Sequence, residues 1–164
     1  MIEFRPLTAD DLPQLEDWLR REHVARWWRD DIDESLTEYR AAIEGRDPTD
    51  HYLVLVDGRA IGIIQTYLVS DYPEWEEVVH VGPDVAGVDL LIGDEDQIGR
   101  GLGPQILAEF VRKVITASAV VATVEEENRR SWRAFEKAGF QYVRDVEEDG
   151  RPHRLMRLDR RYAQ

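Results

Sequence analysis

The stretch GDEDQIGRGLGPQIL, residues 93–107, decides the fold of this chain. Three glycines at alternate positions, Gly99, Gly101 and Gly103, separate an acidic turn from an apolar run with helical spacing. Glycine permits a backbone whose successive N–H groups point to one place, and a helix that begins there adds its own free N–H groups. The segment therefore predicts an anion site between a strand and a helix, best suited to phosphates, with Arg100 at its rim.

Neither of two familiar phosphate loops matches this segment. The nucleoside-triphosphate loop ends in Gly-Lys-Ser/Thr, whereas here Gly103 is followed by Pro104 and Gln105. The dinucleotide fingerprint needs a third glycine three residues after Gly101, where this chain has Pro104. A tight turn without a ligand remains the alternative.

The composition is that of a globular protein, and we expect one domain over residues 1–164. The chain has no cysteine, which excludes disulfides, thiolate metal sites and a cysteine nucleophile, and its four histidines show no metal-ligand spacing. No window approaches the roughly 18 apolar residues of a membrane span, and the N-terminus is unlike a signal peptide. We therefore expect a cytoplasmic protein with no membrane partner.

The net charge of −13 is unusual for a protein that binds nucleic acid, because such proteins carry a basic patch. A strongly acidic protein attracts cations, including polyamine-like molecules. Acidity that serves solubility alone is the alternative.

Local patterns predict the element order β-α-α-β-β-β-α-β-α-β-β. Asp57-Gly58 lies between two apolar strands and indicates a two-residue hairpin, while Gly45 and Gly139 end helices. Hairpins and helical crossovers are mixed in this order. We therefore expect an α/β (α+β) fold with a mixed, mostly antiparallel sheet of about seven strands, flanked by four helices.

Two separate motifs resemble the GCN5-related N-acetyltransferase (GNAT) superfamily. IGRGLG, residues 98–103, is similar to its pyrophosphate loop, and NRRSWRAFEKAGF, residues 128–140, is similar to its later segment ending in Glu-Lys-x-Gly-Phe. The element order fits over nearly the whole chain. One departure is Ile98, where the family often has Gln or Arg. The resemblance implies a GNAT fold, acetyl-coenzyme A as cosubstrate and no metal.

The resemblance also implies which residues hold acetyl-coenzyme A. Backbone N–H groups at Leu91 or Ile92 would hold the thioester carbonyl, on a strand that splays from the next one. The family's proton-donating tyrosine is replaced by Phe135, which leaves the general acid open. The predicted cofactor-binding residues are Leu91, Ile92, Ile98, Gly99, Arg100, Gly101, Leu102, Gly103, Asn128, Phe135 and Lys137.

Four segments narrow the resemblance to aminoglycoside 6'-N-acetyltransferases: HVARWW (23–28), WEE (75–77), GVDLLIG (87–93) and GRGLG (99–103). Such enzymes transfer acetyl directly, in a ternary complex, to an amine of a polycationic sugar. Asp89 interrupts an otherwise apolar strand, and the matching Asp of these enzymes is assigned as the base. A surface-facing strand residue is the alternative for Asp89.

Carboxylates around the acceptor suit a ligand with several ammonium groups. We expect an acidic lid between two strands, and we expect Trp28 to line the pocket while Trp27 packs in the core. Related enzymes carry Asp at the position of Thr123. The glutamates that follow Thr123 are interpreted as supplying the missing negative charge, or, alternatively, as a solvated acidic start of the next helix. The predicted substrate-binding residues are Trp28, Asp71, Glu76, Glu77, Asp84, Asp89, Glu125 and Glu126.

Two other functions stay open. One is a siderophore-type acyltransferase acting on N-hydroxylysine, which shares the Trp-rich early segment. The other is a non-catalytic coenzyme A-binding module, which Phe135 in place of Tyr keeps open. The oligomeric state is expected to be a monomer or a homodimer.

Overall fold

The structure is a computed structural model that describes residues 1–160, in which seven strands and six helices are assigned. The strands are β1 (Ile2–Pro6), β2 (Asp50–Val56), β3 (Arg59–Leu68), β4 (Val85–Ile92), β5 (Ala119–Glu125), β6 (Gln141–Glu148) and β7 (Arg151–Asp159). The helices are α1 (Leu12–Arg20), α2 (Glu22–Ala25), α3 (Ile32–Ile43), α4 (Pro73–Val79), α5 (Leu102–Lys113) and α6 (Arg129–Lys137).

All seven strands form one sheet in the order β1-β2-β3-β4-β5-β7-β6. The β4–β5 pair is parallel, whereas β1–β2, β5–β7 and β6–β7 are antiparallel. The expected mixed seven-stranded α/β fold is thus confirmed. Two helices were not expected, α2 with four residues and α4 with seven, because such short segments carry too few turns for a helical period to show. The predicted acidic lid contains α4.

The chain divides into two compact units, so the expectation of one domain over 1–164 stays a prediction; residues 161–164 lie outside the described part. Unit 1 comprises Met1–Gln65 and Leu90–Arg100. The helical region that follows β1 begins where the Asp11 carboxylate accepts the backbone N–H of Thr8 at 2.9 Å and pairs with Arg5 at 2.9 Å. The core of unit 1 contains Leu7, Leu12, Leu15, Trp18, Leu19, Val24, Tyr39, Leu53, Ile63 and Leu91.

Unit 2 comprises Thr66–Asp89 and the chain from Gly101 onward. In this unit α5 packs closely against α6, since a Cβ placed on Gly103 would lie 3.4 Å from the Ala134 methyl group. A second apolar cluster contains Val69, Val79, Val85, Ala119, Val121, Val146 and Leu155, with Tyr67, Trp75, Val78 and Val81 packed against it.

His51 on β2 lies partly buried in unit 1. Its ring meets the ring of Tyr39 edge to face at 4.9 Å between centroids, and its Nδ1 is buried with no hydrogen-bond partner among the described residues. Burial lowers the pKa of His51 from 6.5 to about 4, although the charge of Asp47 and a hydrogen bond with Gln65 work in the opposite direction. The folded protein therefore holds the neutral imidazole.

We predict that unit 1 loses stability as the pH falls from about 6.5 toward 4. The folded-state pKa lies below the unfolded one, so the unfolded chain binds an extra proton in this window and stability falls by up to about 3 kcal/mol. Urea unfolding at several pH values measures this slope. His51→Gln should flatten the profile, whereas His80→Asn, at an exposed helix end, should not. Parallel profiles for the parent and His51→Gln would refute the assignment.

Candidate active site

The parallel ladder between β4 and β5 is short. Among the described residues it joins Val85 to Ala119, Ala86 to Val120 and Gly87 to Val121. The antiparallel ladder between β5 and β7 continues to Glu125. The next β4 residues in unit 2, Val88 and Asp89, are thus outside the ladder. Backbone groups on the facing sides of the two strands become available to a ligand where the pairing stops, since buried peptide groups need partners.

Asp89 lies on the same face of β4 as Val85 and Gly87, because side chains alternate along a strand. Val85 belongs to the apolar cluster of unit 2, whereas Asp89 is only half-buried. The strand therefore passes from core to a polar region within five residues. On β5 the same change occurs between Val121, which is in the cluster, and Thr123, which is half-buried.

Gly87 makes room for an aromatic ring. A Cβ at this position would lie 2.3 Å from Cζ of Tyr67 and 2.6 Å from its hydroxyl oxygen. The Thr66 hydroxyl donates a hydrogen bond to the Gly87 carbonyl at 2.8 Å, which holds the two strands together here. The Tyr67 ring is thus seated over β4, two residues before Asp89.

The Tyr67 hydroxyl keeps its proton. Burial raises the pKa of Tyr67 well above its ordinary value, and the negative charges of Asp89 and Glu148 raise this pKa further. A hydrogen bond with Trp75 lowers the pKa but does not cancel these effects. The ring also meets Tyr72 edge to face at 5.4 Å between centroids. A neutral phenol facing two carboxylates can act as a hydrogen-bond donor.

Glu148, the last residue of β6, brings a second carboxylate to this place. Its Oε2 accepts a hydrogen bond from the Thr123 hydroxyl at 3.2 Å and lies 3.5 Å from Nε2 of His153. The His153 Nδ1–H donates to the Arg151 carbonyl at 3.0 Å, which fixes the ring. We name the resulting set the Tyr67 cluster: Tyr67, Trp75, Asp89, Thr123, Glu148 and His153.

Sequence reasoning identified Asp89 but missed Tyr67, Glu148 and His153. The strand alternation that places Glu148 on the same side as the buried Val146 was visible in the sequence. The contact with Thr123, 25 residues away, was not.

Two acidic residues of the predicted lid, Glu76 and Asp84, accept hydrogen bonds from backbone N–H groups outside the Tyr67 cluster. The Glu76 carboxylate accepts the backbone N–H groups of Gly82 at 2.9 Å and Val81 at 3.4 Å, and so closes the turn after α4. Asp84 accepts the backbone N–H of Ser118 at 3.2 Å, before β4 begins. It is therefore about 16 Å along the strand from Asp89, by the usual rise per residue, and does not join the Tyr67 cluster. Asp71 and Glu77 are exposed.

The glutamates at the end of β5 and just after it, Glu125 and Glu126, lie near arginines. Glu125 is buried and lies 3.6 Å from the Arg151 guanidinium. Glu126 lies 3.7 Å from Arg154, which stacks on the Trp132 ring at 4.0 Å from its centroid. The carboxylate that accepts a hydrogen bond from Thr123 is that of Glu148, and the expected substitution by Glu125 or Glu126 stays a prediction.

Trp28 packs against the core of unit 1, the role that was expected of its neighbour Trp27. Both rings are half-buried. The expectation that Trp28 lines the pocket stays a prediction, because its half-buried ring packs against the core and keeps part of its surface exposed.

The glycine loop has the backbone that the sequence predicts. Gly99 and Gly101 adopt φ of 80° and 76°, values that other residues rarely tolerate, and Gly101 directly precedes α5. In unit 2, Gly101, Leu102 and Gly103 form the start of this 12-residue helix, where backbone N–H groups have no helical partner. In unit 1, Ile98 is half-buried and Arg100 is exposed.

The residues expected from the second motif have different surroundings. Asn128 immediately precedes α6, and Lys137 is exposed at its end. Phe135 is buried and meets Phe140 edge to face at 5.1 Å between centroids. Phe135 is thus a core residue. Within residues 1–160 no group of His, Cys, Asp and Glu side chains is placed to hold a metal ion. None of the helices described is long and apolar enough to cross a membrane.

Known proteins share this architecture. The chain is 28% identical over 150 residues to aminoglycoside N(6')-acetyltransferase type 1 of Klebsiella pneumoniae. The aligned region covers 85% of this chain and 74% of that protein. It superposes with a TM-score of 0.85 and 28% identity on the crystal structure of aminoglycoside acetyltransferase AAC(6')-Ib with coenzyme A and kanamycin, over 98% of this chain and 96% of that one. The aminoglycoside N(6')-acetyltransferase of Legionella pneumophila shares the fold at 20% identity, with a TM-score of 0.81 over 96% of this chain and 91% of that one.

The sequence profile described as an acetyltransferase (GNAT) domain matches residues 8–148, which is most of the chain. This match agrees with the short β4–β5 ladder, the glycine loop and the order of elements. The chain belongs to the acetyltransferase (GNAT) domain family.

Proposed function

We propose that this protein is an acetyl-coenzyme A-dependent N-acetyltransferase that acetylates the 6'-amino group of aminoglycosides, by direct transfer in a ternary complex. The observation that carries the proposal is Asp89, placed on β4 just beyond the end of the β4–β5 ladder and beside a buried neutral tyrosine. The relatives named above support the acceptor class. The Klebsiella pneumoniae protein is named as an aminoglycoside acetyltransferase, and the AAC(6')-Ib structure contains kanamycin.

The residues present fit coenzyme A. The unpaired start of α5, preceded by Gly101 in a left-handed conformation, suits a pyrophosphate, and the exposed Lys137 offers a cation on the neighbouring helix. Facing backbone groups beyond Gly87 and Val121 suit an extended ligand that carries amides, as pantetheine does. When bound, acetyl-coenzyme A supplies an acetyl group activated as a thioester.

Asp89 has the role of base in this proposal. An ammonium has no lone pair, so the acceptor must lose a proton before it can attack a carbonyl, and a carboxylate oxygen of Asp89 takes that proton. The backbone N–H group of Leu91 or of Ile92 stays our candidate for holding the carbonyl oxygen where negative charge develops. Phe135 has no proton to give, so the general acid is not a side chain of α6 at that position.

Glu148 and Tyr67 orient the acceptor. Glu148 adds a second negative charge to the Tyr67 cluster, which favours an acceptor with more than one ammonium group. The protonated Tyr67 hydroxyl is a donor for a carboxylate or a sugar oxygen.

We further infer a cytoplasmic enzyme that works as a monomer or homodimer. We also infer that it binds no nucleic acid, and the net charge of −13 supports this last inference.

Thiol release from acetyl-coenzyme A tests the function directly. We expect turnover with kanamycin and tobramycin and none with an analogue that lacks the 6'-amine. Asp89→Asn should lower kcat by about 100-fold or more while coenzyme A binds as before, because only the proton acceptor is removed. Asp57→Asn, an exposed turn residue on unit 1, is the isosteric control and should change neither quantity.

Other outcomes would contradict this function. Turnover confined to hydroxylysine or lysine would indicate the siderophore-type acyltransferase. Coenzyme A binding with no turnover on any amine, spermidine included, would indicate a non-catalytic binding module.

Glu148→Gln should weaken the binding of polycations selectively. Removal of one carboxylate costs roughly 1–2 kcal/mol for each charged hydrogen bond lost, so the KM for kanamycin should rise about tenfold. The KM for an acceptor with a single amine should change much less. Glu147→Gln is the matched control, because Glu147 is exposed and alternates to the other face of β6. Equal KM values for both variants would refute the role of Glu148.

Gly101→Ala should weaken coenzyme A binding. A side chain in the left-handed conformation costs about 1 kcal/mol and shifts the start of α5. Gly45→Ala is a matched control, since Gly45 has φ 78° and, like Gly101, open space where the Cβ would lie. Both variants should lose similar stability in thermal unfolding. A several-fold weaker Kd for coenzyme A should appear in Gly101→Ala alone, and equal Kd values would contradict the loop assignment.

A further inference from the structure

The end of β4 in unit 1 is held by two side chains, one from Arg21, which joins α1 to α2, and one from His23 in α2. Arg21 donates from Nη1 to the Gly93 carbonyl at 2.9 Å, and its other nitrogen pairs with Asp17 at 2.7 Å. His23 Nε2 lies 3.1 Å from the Ile92 carbonyl oxygen. Two consecutive carbonyl groups are thus each bound by a side chain more than 60 residues away in sequence.

Two glycines near the end of β4, Gly93 and Gly62, have no space for a side chain. A Cβ on Gly93 would lie 2.1 Å from the Trp18 indole, and a Cβ on Gly62 would lie 2.1 Å from the Leu91 carbonyl oxygen. Trp18 is buried in the core of unit 1. The path of the strand end is therefore fixed by close packing as well as by hydrogen bonds.

The His23 contact determines the orientation of one peptide group. A carbonyl oxygen only accepts, so Nε2 carries the proton in this bond. The N–H of that same peptide, on Gly93, donates to the Ile61 carbonyl at 2.8 Å. Both polar atoms of the Ile92–Gly93 peptide are therefore bound. The His23 side chain is only 15% exposed, and its Nδ1 lies 3.9 Å from the Glu95 carboxylate.

We propose that His23 is a positioning residue for acetyl transfer: its Nε2–H holds the Ile92 carbonyl, and with it the direction of the Ile92 N–H group, which points to the same edge of the strand. The Gly93 N–H points to the opposite edge, toward Ile61. The inference rests on the proposed function, and of the two candidates named there it selects the Ile92 N–H group as the one that holds the thioester carbonyl. Donors that face a developing negative charge are effective only when they are held in place beforehand, and a displacement of about 1 Å can cost 10²-fold in rate.

Three substitutions separate the hydrogen bond from mere packing. Glutamine places an amide nitrogen near the position of Nε2 and preserves the donor. Asparagine places its nitrogen nearer the position of Nδ1 and loses it, and leucine keeps bulk without any donor. The measurements are kcat and KM with kanamycin and acetyl-coenzyme A, the Kd of coenzyme A, thermal unfolding, and hydrogen exchange of the Leu91, Ile92 and Gly93 amides.

We expect His23→Asn and His23→Leu to lower kcat about tenfold or more while the Kd of coenzyme A changes less than about threefold. Their Gly93 and Ile92 amides should exchange faster. His23→Gln should retain kcat within about threefold and exchange like the parent. The pattern of rescue by Gln and not by Asn is one that a role in packing alone would not produce.

Two results would overturn the inference. One is a kcat for His23→Asn equal to that of the parent. The other is a loss of kcat in all three variants, Gln included, that follows the loss of thermal stability. Failure of the proposed function looks different: the parent itself then acetylates no aminoglycoside, whereas failure of the His23 inference alone leaves an active parent.

Discussion

The β4–β5 ladder contains three residue pairs and then ends, and this is the constraint on which the rest of the site depends. β5 stays paired with β7 as far as Glu125, so β5 cannot follow β4 beyond Val121. A continuous ladder would satisfy the facing backbone groups internally and leave none for a ligand. The early end creates both the backbone edge for an amide-containing ligand and the polar ends of strands on which Asp89 and Thr123 lie.

The Tyr67 cluster has an electrostatic consequence that follows from its burial. Two carboxylates, Asp89 and Glu148, help to raise the pKa of the buried Tyr67, and the cluster lies at the margin of an apolar core. In such surroundings an ammonium ligand offsets more repulsion than it would at an exposed acidic surface. In the proposed function, the position of these two acids, rather than the net charge of −13, favours an acceptor with several ammonium groups.

Local patterns in the sequence were sufficient for the order of the seven strands and the four longer helices, the glycine loop and the unusual Asp89. They could not give contacts between distant segments. Glu148 and Thr123 meet only because β6, β7 and β5 are neighbours in the sheet, and Tyr67 reaches Gly87 only through the pairing of β3 and β4. Acidic residues of the predicted lid show the opposite limit: a sequence shows that Glu76 and Asp84 are charged, but not that turns use both carboxylates as hydrogen-bond acceptors.

The most direct measurement is a crystal structure of the protein with coenzyme A and kanamycin. The account predicts that the pantetheine amides pair with backbone groups of β4 and β5 beyond Gly87 and Val121. It also predicts that the 6'-amine of kanamycin lies within hydrogen-bond distance of Asp89, with a second ammonium group near Glu148. A pantetheine arm that lies away from the end of the ladder, or an amine that contacts neither carboxylate, would contradict it.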